Sequence, residues 1–361
     1  MKKILFVFGT RPEAIKLCPL IVELKKRGDF DVKVCSTGQH SSLLSPVLEL
    51  FSVVPDYDLA VMKEAQTPAD ITGSVLSGVT EILNDLSPDL VIVHGDTTSA
   101  YAAALASFYK KIPVAHVEAG LRTGDKYSPF PEEFNRKSIA VIADYNFAPT
   151  EGAKQNLISE GVGEDRIFVT GNTVIDALKY TVGDMPEEFS GIKGRIMLVT
   201  AHRRESFGEP IRNIFRAVAD IVDARQDVTA IIPIHRNPNA KSAAETLRGH
   251  ERIILTEPME TGKFHSVMSR AYLILTDSGG IQEEAAALGV PVLVAREVTE
   301  RQEGIEKGNA FLVGRDRKQI AETALRLLDD VESYKKAACA SDIYGDGTAC
   351  VKIADLLSRF V

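Results

Sequence analysis

Three acidic residues in the first half of the chain stand where proton transfer could be done: Asp96 in HGDTTS (94–99), Glu118 in HVEAGLRTG (116–124) and Glu132 heading EEFNR (132–136). Carboxylates gathered at one sheet edge repel one another unless their pKa values separate, and separated values are what an acid and base pair needs. Two of them also have a structural reading, Asp96 as a helix N-cap and Glu132 as a first-turn carboxylate that complements the helix dipole. Cations cluster at other strand ends: Arg11 and Lys16 in GTRPEAIK (9–16), His202 and Arg203 in TAHRRE (200–205), His235 and Arg236 in PIHRNP (233–238), and Arg301 in TERQE (299–303). Arginine grips a phosphate bidentately and lysine adds a point charge. An Arg11–Glu13 pair is the structural alternative, and His202 suits phosphate binding, proton transfer or a purely structural place.

The stretch TDSGGIQEEAAALGVPVLV (276–294) reads as a strand end, a glycine turn, a helix and a second strand. Asp277 and Ser278 suit an N-cap, while Gly279 and Gly280 admit close approach to the free N–H groups of the helix start. That makes either an anion site or an ordinary capped helix. Several cationic strand ends and two helix N-termini facing one cleft describe a diphosphate better than a monophosphate. No HExxH-type spacing, serine elbow or Cys–His pair is present in the sequence, so neither a catalytic metal nor a covalent hydrolase is expected.

The elements that must carry these residues repeat a βα pattern twice. Strands are expected at 4–8, 32–36, 90–94, 114–117, 145–148 and 167–169, and again at 196–200, 229–234, 253–255, 272–275, 292–294 and 311–313. Longer amphipathic runs separate them, the pattern of parallel sheets covered by helices. The fold class is therefore α/β: two Rossmann-like, doubly wound domains facing a central cleft, followed by a helical tail. The expected division is 1–172 with the carboxylates, 173–335 with the anion site, and 336–361 as a tail packing back on the first domain. Ligands of such sheets bind outside the carboxyl ends of the strands.

Composition narrows the class of function. A chain of 361 residues with formal charge −8 and no basic run argues against a nucleic-acid or membrane-surface partner. No stretch reaches membrane-spanning length. Met1-Lys-Lys followed by the apolar 4–8 reads as a first strand instead of a signal peptide, and four unpaired-looking cysteines fit a reducing cytoplasm.

Taken in order, FGTRPEAIK, HGDTTS, HVEAGLRTG, SPFPEEFNR, AHRRES, TDSGGIQEEA, TERQEG and YGDG resemble the non-hydrolysing UDP-N-acetylglucosamine 2-epimerases over nearly the full length. The resemblance implies a two-domain fold of the GT-B type and a homodimer. It also implies interconversion of UDP-N-acetylglucosamine with UDP-N-acetylmannosamine without a cofactor, in a family that supplies bacterial surface polysaccharides. Carried over by motif, Ser278, Gly279 and Gly280 would bind the diphosphate, Glu284 the ribose and Phe264 would lie beside the uracil. Arg11, Lys16, His202 and Arg301 would complete the phosphate grip, and Asp96, Glu118 and Glu132 match the acid and base candidates. Many bacterial members of the family carry a second, allosteric nucleotide-sugar pocket. Gln39, Arg203 and His235 match it, whereas Ser42 and Ala65 replace a glutamine and an arginine, which implies weakened or altered activation by substrate. A GT-B glycosyltransferase, a hydrolysing epimerase and an idle nucleotide-sugar sensor are the rival readings. The first would not need three carboxylates in the N-terminal half, the second would have a different opening motif, and the third would not keep every catalytic position filled.

Overall fold

The computed structural model describes residues 1–38, 41–63, 66–203, 206–235, 237–339 and 341–361, with only the backbone of 41–43. The chain forms two compact units. Unit 1 comprises Met1–Tyr180 together with Tyr344–Val361, and unit 2 comprises Thr181–Ile343.

Unit 1 is built on a seven-stranded sheet: β1 Lys2–Phe8, β2 Phe30–Ser36, β3 Tyr57–Asp58, β4 Leu90–His94, β5 Val114–Val117, β6 Tyr145–Ala148 and β7 Ile167–Val169. Its strands run parallel in the order β3-β2-β1-β4-β5-β6-β7. The central strands are unbroken apolar runs, and residues 4–8 of β1 are wholly buried, as a sheet covered on both faces requires. The closing helix Ala349–Phe360 packs against the first helix, Arg11–Arg27, with Arg27 bonded to Asp355 at 2.6 Å.

Unit 2 repeats the plan with β8 Arg195–Thr200, β9 Val228–Pro233, β10 Ile253–Thr256, β11 Leu273–Thr276, β12 Val292–Val294 and β13 Ala310–Leu312. The order is β10-β9-β8-β11-β12-β13, again all parallel. In both sheets the strand order therefore reverses beside the unit's first strand, between β1 and β4 and between β8 and β11. Connections depart to opposite faces there, which leaves a crevice outside the carboxyl ends of those strands. The loops that open from these two switch points are 9–10 and 95–97 in unit 1, and those that begin at 201 and 277 in unit 2. Asp96, His202, Arg203 and Ser278 sit in these loops.

Every expected strand is present. The segment around 55–58 contributes the two-residue β3. Two short helices follow β7 and β12, Thr173–Thr181 and Gln302–Lys307. The first begins where Asn172 accepts a hydrogen bond from the Val174 N–H, a local cap with no apolar period long enough to announce it. Among the described residues no helix is long and apolar enough to cross a membrane.

Candidate active site

In unit 1 the turn after β1 is fixed by a buried carboxylate. Glu13 accepts from the Gly9 N–H (3.1 Å), the Thr10 N–H (2.8 Å) and the Thr10 hydroxyl (2.7 Å) with one oxygen, and from the Thr97 hydroxyl (2.8 Å) with the other. Burial pushes its pKa up, with those four donors working against the shift. Glu13 thereby clips the turn that carries Arg11 to the loop that carries Asp96, across the switch point. Arg11 itself is half-buried at the first position of its helix.

Glu118 and Asp96 each sit in a side-chain cluster, and Glu132 opens the helix that holds Asp96. Glu118 follows β5, and its carboxylate receives the Lys16 ammonium and, at 2.6 Å, the Asn172 side-chain amide. Its backbone is left-handed, at φ 63°, a conformation that costs a non-glycine residue roughly 1–2 kcal/mol and survives only where the surroundings over-determine it. Asp96 is held from the helix Glu132–Ile142: Arg136 pairs with its carboxylate at 2.6 Å and Asn135 donates to its carbonyl at 2.8 Å. The same Arg136 reaches Glu133 at 3.2 Å, and Glu133, fully buried, also accepts the Thr123 and Gly124 N–H groups at 3.1 and 3.2 Å. Glu132 opens that helix, half-buried, one residue before this anchor. Gly95 joins the clusters, since a Cβ built on it would lie 3.6 Å from Glu118 Oε1. The expected repulsion among the three is thus met by giving Glu118 and Asp96 separate cations, Lys16 and Arg136. Lys16, expected on phosphate, is engaged with Glu118.

Two histidines lie beneath this site. His94 ends β4 with Nε2 3.8 Å from Glu118 Oε2, and His116 donates from Nε2 to the Gly95 carbonyl at 2.7 Å. Burial pushes both imidazoles down to about 4. Since these values lie below the unfolded ~6.5, the unfolded chain takes up protons first, and stability is lost as pH falls from about 6.5 toward 4. By pH 5.5 the two histidines together cost roughly 3 kcal/mol. Glu13, whose pKa burial raises, acts in the opposite sense. Urea unfolding at pH 7.5 and 5.5 should show the midpoint drop, and His116→Asn should shrink that drop by about half. An equal drop in that variant contradicts a neutral buried His116.

Unit 2 builds a cationic, N–H-rich loop cluster. In register, Thr276 of β11 lies beside Thr200 of β8, their hydroxyls 2.7 Å apart, so the segments that begin at 201 and 277 leave side by side. Asp277 is wholly buried, and its carboxylate accepts the His202 N–H (3.0 Å), the Arg203 N–H (2.9 Å) and the Ser206 hydroxyl (3.1 Å). It thus fastens the His202 loop to the glycine turn. Ser278 is the N-cap position of the helix Gly279–Leu288, and its side chain makes no cap bond. Arg301 is buried and donates from Nε to Glu283 Oε1 at 2.8 Å. Its guanidinium lies over the helix start: a Cβ on Gly279 would meet Nη1 at 2.6 Å. Positive charge is thereby brought to the backbone N–H groups of a helix start, which is what an anion site requires.

Glu284, on the next turn of that helix, lies 3.5 Å from His265 Nε2, and His265 Nδ1 meets the Thr181 hydroxyl at 2.6 Å. Phe264 precedes His265 and is half-buried. The His202 and His235 rings stack at 5.4 Å, with Arg203 partly exposed beside them in sequence. Gln39, Ala65 and Arg236 lie outside the described residues, as does the side chain of Ser42. The structure thus joins Glu118 to Lys16 and ties Asp96 to the helix that Glu132 opens in unit 1, and it brings His202, Ser278, Gly279 and Arg301 together in unit 2. Arg136, Asn172, Glu13 and Asp277 join them as residues that sequence reasoning did not assign to the site.

A family model described as UDP-N-acetylglucosamine 2-epimerase matches residues 22–358. The UDP-N-acetylglucosamine 2-epimerase of Bacillus subtilis (strain 168) is 50% identical over 359 residues, covering 98% of this chain and 94% of that protein. The UDP-GlcNAc 2-epimerase of Neisseria meningitidis, solved bound to UDP-GlcNAc, superposes with TM-score 0.95 at 45% identity, covering 99% of this chain and all (100%) of that one. The Methanocaldococcus jannaschii enzyme, solved with UDP-GlcNAc and UDP, gives TM-score 0.86 at 33% identity, with 99% of each chain covered.

Proposed function

Because the chain belongs to the UDP-N-acetylglucosamine 2-epimerase family, we propose that it interconverts UDP-N-acetylglucosamine and UDP-N-acetylmannosamine by eliminating UDP and adding it back. The C2 hydrogen of the sugar is poorly acidic, so inversion there needs another route. Loss of UDP from C1 with the C2 proton gives 2-acetamidoglucal. Return of UDP to C1, with a proton delivered to the opposite face of C2, gives the epimer.

That chemistry needs a clamp on departing diphosphate and two groups that trade protons. The glycine turn at Ser278–Gly280, with Arg301 over Gly279 and His202 fastened beside it, is the proposed diphosphate clamp. Glu284 is the proposed ribose ligand and Phe264 the neighbour of the uracil; Arg11 is proposed to add positive charge from unit 1. Asp96, Glu118 and Glu132 are proposed to move the protons. The observation that carries the reading is that Asp96 and Glu118, just beyond the carboxyl ends of β4 and β5, each have their own buried cation, Arg136 and Lys16, with Glu132 opening the helix that carries Arg136.

A homodimer is part of the proposal. Phe134 and Val141, seven residues apart on one helix, are 50% and 80% exposed, and Phe108 on the adjoining helix is 58% exposed. Such a stripe suits a self-complementary surface. A cytoplasmic place is supported by four cysteines that form no disulfide.

Incubation with UDP-N-acetylglucosamine in deuterated water, followed by NMR, tests the reaction. The expected result is UDP-N-acetylmannosamine carrying deuterium at C2. Free N-acetylmannosamine would mean hydrolysis, and an unchanged spectrum would mean transfer to another acceptor or mere binding; either result overturns the proposal.

A further inference from the structure

Asn172 is buried between β7 and the helix Thr173–Thr181, and each of its polar groups has a fixed partner. Its backbone N–H donates to the Tyr344 carbonyl at 2.6 Å, its Oδ1 accepts the Val174 N–H at 3.0 Å, and its Nδ2 donates to Glu118 Oε2 at 2.6 Å. The Val174 contact sets the amide's orientation: oxygen toward the helix end, NH2 toward the carboxylate. Tyr344 is where the chain re-enters unit 1. There Gly345 lies so close to Gly171 that a Cβ on Gly171 would be 2.9 Å from the Gly345 Cα. Neither position has room for a side chain, so the peptide leading into Asn172 is clamped from behind.

We infer that Asn172 is a positioning residue for Glu118, holding the carboxylate in one place and in its proton-accepting form; this rests on the reading of Glu118 as a group that moves the C2 proton. Two observations join here. Glu118 has a left-handed backbone, which needs bracing by its surroundings, and Asn172 supplies a brace fastened at three points. Lys16 and Asn172 donate to the same oxygen, Oε2, while Oε1 lies on the side of Gly95, next to Asp96. Donors crowded on one oxygen favour the ionised carboxylate and orient the other.

The competing view is that Asn172 merely caps the helix Thr173–Thr181. Asn172→Asp separates the two, because aspartate caps a helix as well as asparagine does but sets an acceptor oxygen against Glu118 where a donor stood. The charged and titratable groups that face Glu118 are Lys16 from the helix Arg11–Arg27, His94 from β4 and Asp96 from the loop after it; all stay in the variant. Two opposed carboxylates must share a proton, which raises the pH at which Glu118 can act as a base. Asn172→Asp should lower kcat for UDP-N-acetylglucosamine by at least about tenfold, leave KM within about threefold, and move the acidic limb of the kcat–pH profile up by about one unit or more. A wild-type kcat and acidic limb would overturn the inference. Asn172→Ser, which keeps a capping hydroxyl without the amide donor, guards against a folding defect in the aspartate variant: kcat about five- to tenfold down at unchanged KM is expected, and wild-type kcat again overturns the inference. If the wild-type protein puts no deuterium into C2, the reading of Glu118 fails first. If it does and both variants match it, only the role of Asn172 fails.

Discussion

Glu118→Gln is expected to lower the epimerisation rate by about 10²- to 10⁴-fold, the usual worth of a positioned proton-transfer group, while UDP binds within about threefold of wild type. The amide is nearly isosteric, and its oxygen can still accept from Lys16 and Asn172, so the site keeps its shape. What it loses is the capacity to carry a proton and the negative charge opposite Lys16. The lysine side chain is only 10% exposed, so leaving it against a neutral group costs roughly 1–3 kcal/mol of stability. Comparison well below the melting temperature, with circular dichroism of each variant, separates that cost from the catalytic one.

Asp96→Asn and Glu132→Gln should reduce turnover as well, but with different side effects. Asp96→Asn frees Arg136 from one of two carboxylates and leaves it on Glu133. Its structural penalty is therefore smaller than that of losing Arg136, which would strand the buried Glu133. Full activity in all three amide variants would remove the proton-moving role from this cluster altogether. Activity kept in one of them would identify the carboxylate that only supports the others.

The doubly wound pattern was legible because it is local. Apolar runs of three to six residues alternate with amphipathic stretches, and that period survives in a single sequence. Strand order is not local, and with it goes the knowledge that the turns at 9–10 and 95–97 share one switch point. Lys16 shows the consequence. By residue type it suits a phosphate, and nothing nearby in the chain announces Glu118, 102 positions away, as its partner. Asp277 is similar: local rules make it a helix cap, yet its carboxylate faces back to the N–H groups of His202 and Arg203. Asn172 was invisible for the opposite reason, since an Asn before a short helix is ordinary, and its amide acquires meaning only when β5 is placed beside β6 and β6 beside β7.

Arg301→Met should weaken UDP binding by about 10- to 100-fold, in line with the loss of one charge-assisted contact of roughly 1.5–3 kcal/mol, and should also destabilise unit 2. Methionine keeps much of the arginine's length and apolar volume, so the change is mainly one of charge. The guanidinium has two tasks that pull on the same atoms. It neutralises Glu283, which is fully buried, and it stands over Gly279 at the start of the helix Gly279–Leu288. Glu300 also faces it at 3.4 Å but keeps Arg296 at 2.8 Å in the variant, so Glu283 suffers more. Breaking a buried pair by removing one partner costs about 3–5 kcal/mol. The two tasks are separable at Gly279. In Gly279→Ala the new Cβ would sit 2.6 Å from Nη1, so the guanidinium must retreat toward its carboxylates while its charge remains. Gly279→Ala should therefore reproduce the loss of UDP affinity with little of the loss of stability, measured by calorimetric titration with UDP beside urea unfolding of both variants. If Gly279→Ala binds UDP as tightly as the wild type, Arg301 serves only to neutralise Glu283, and the diphosphate clamp must be sought elsewhere among the cationic strand ends.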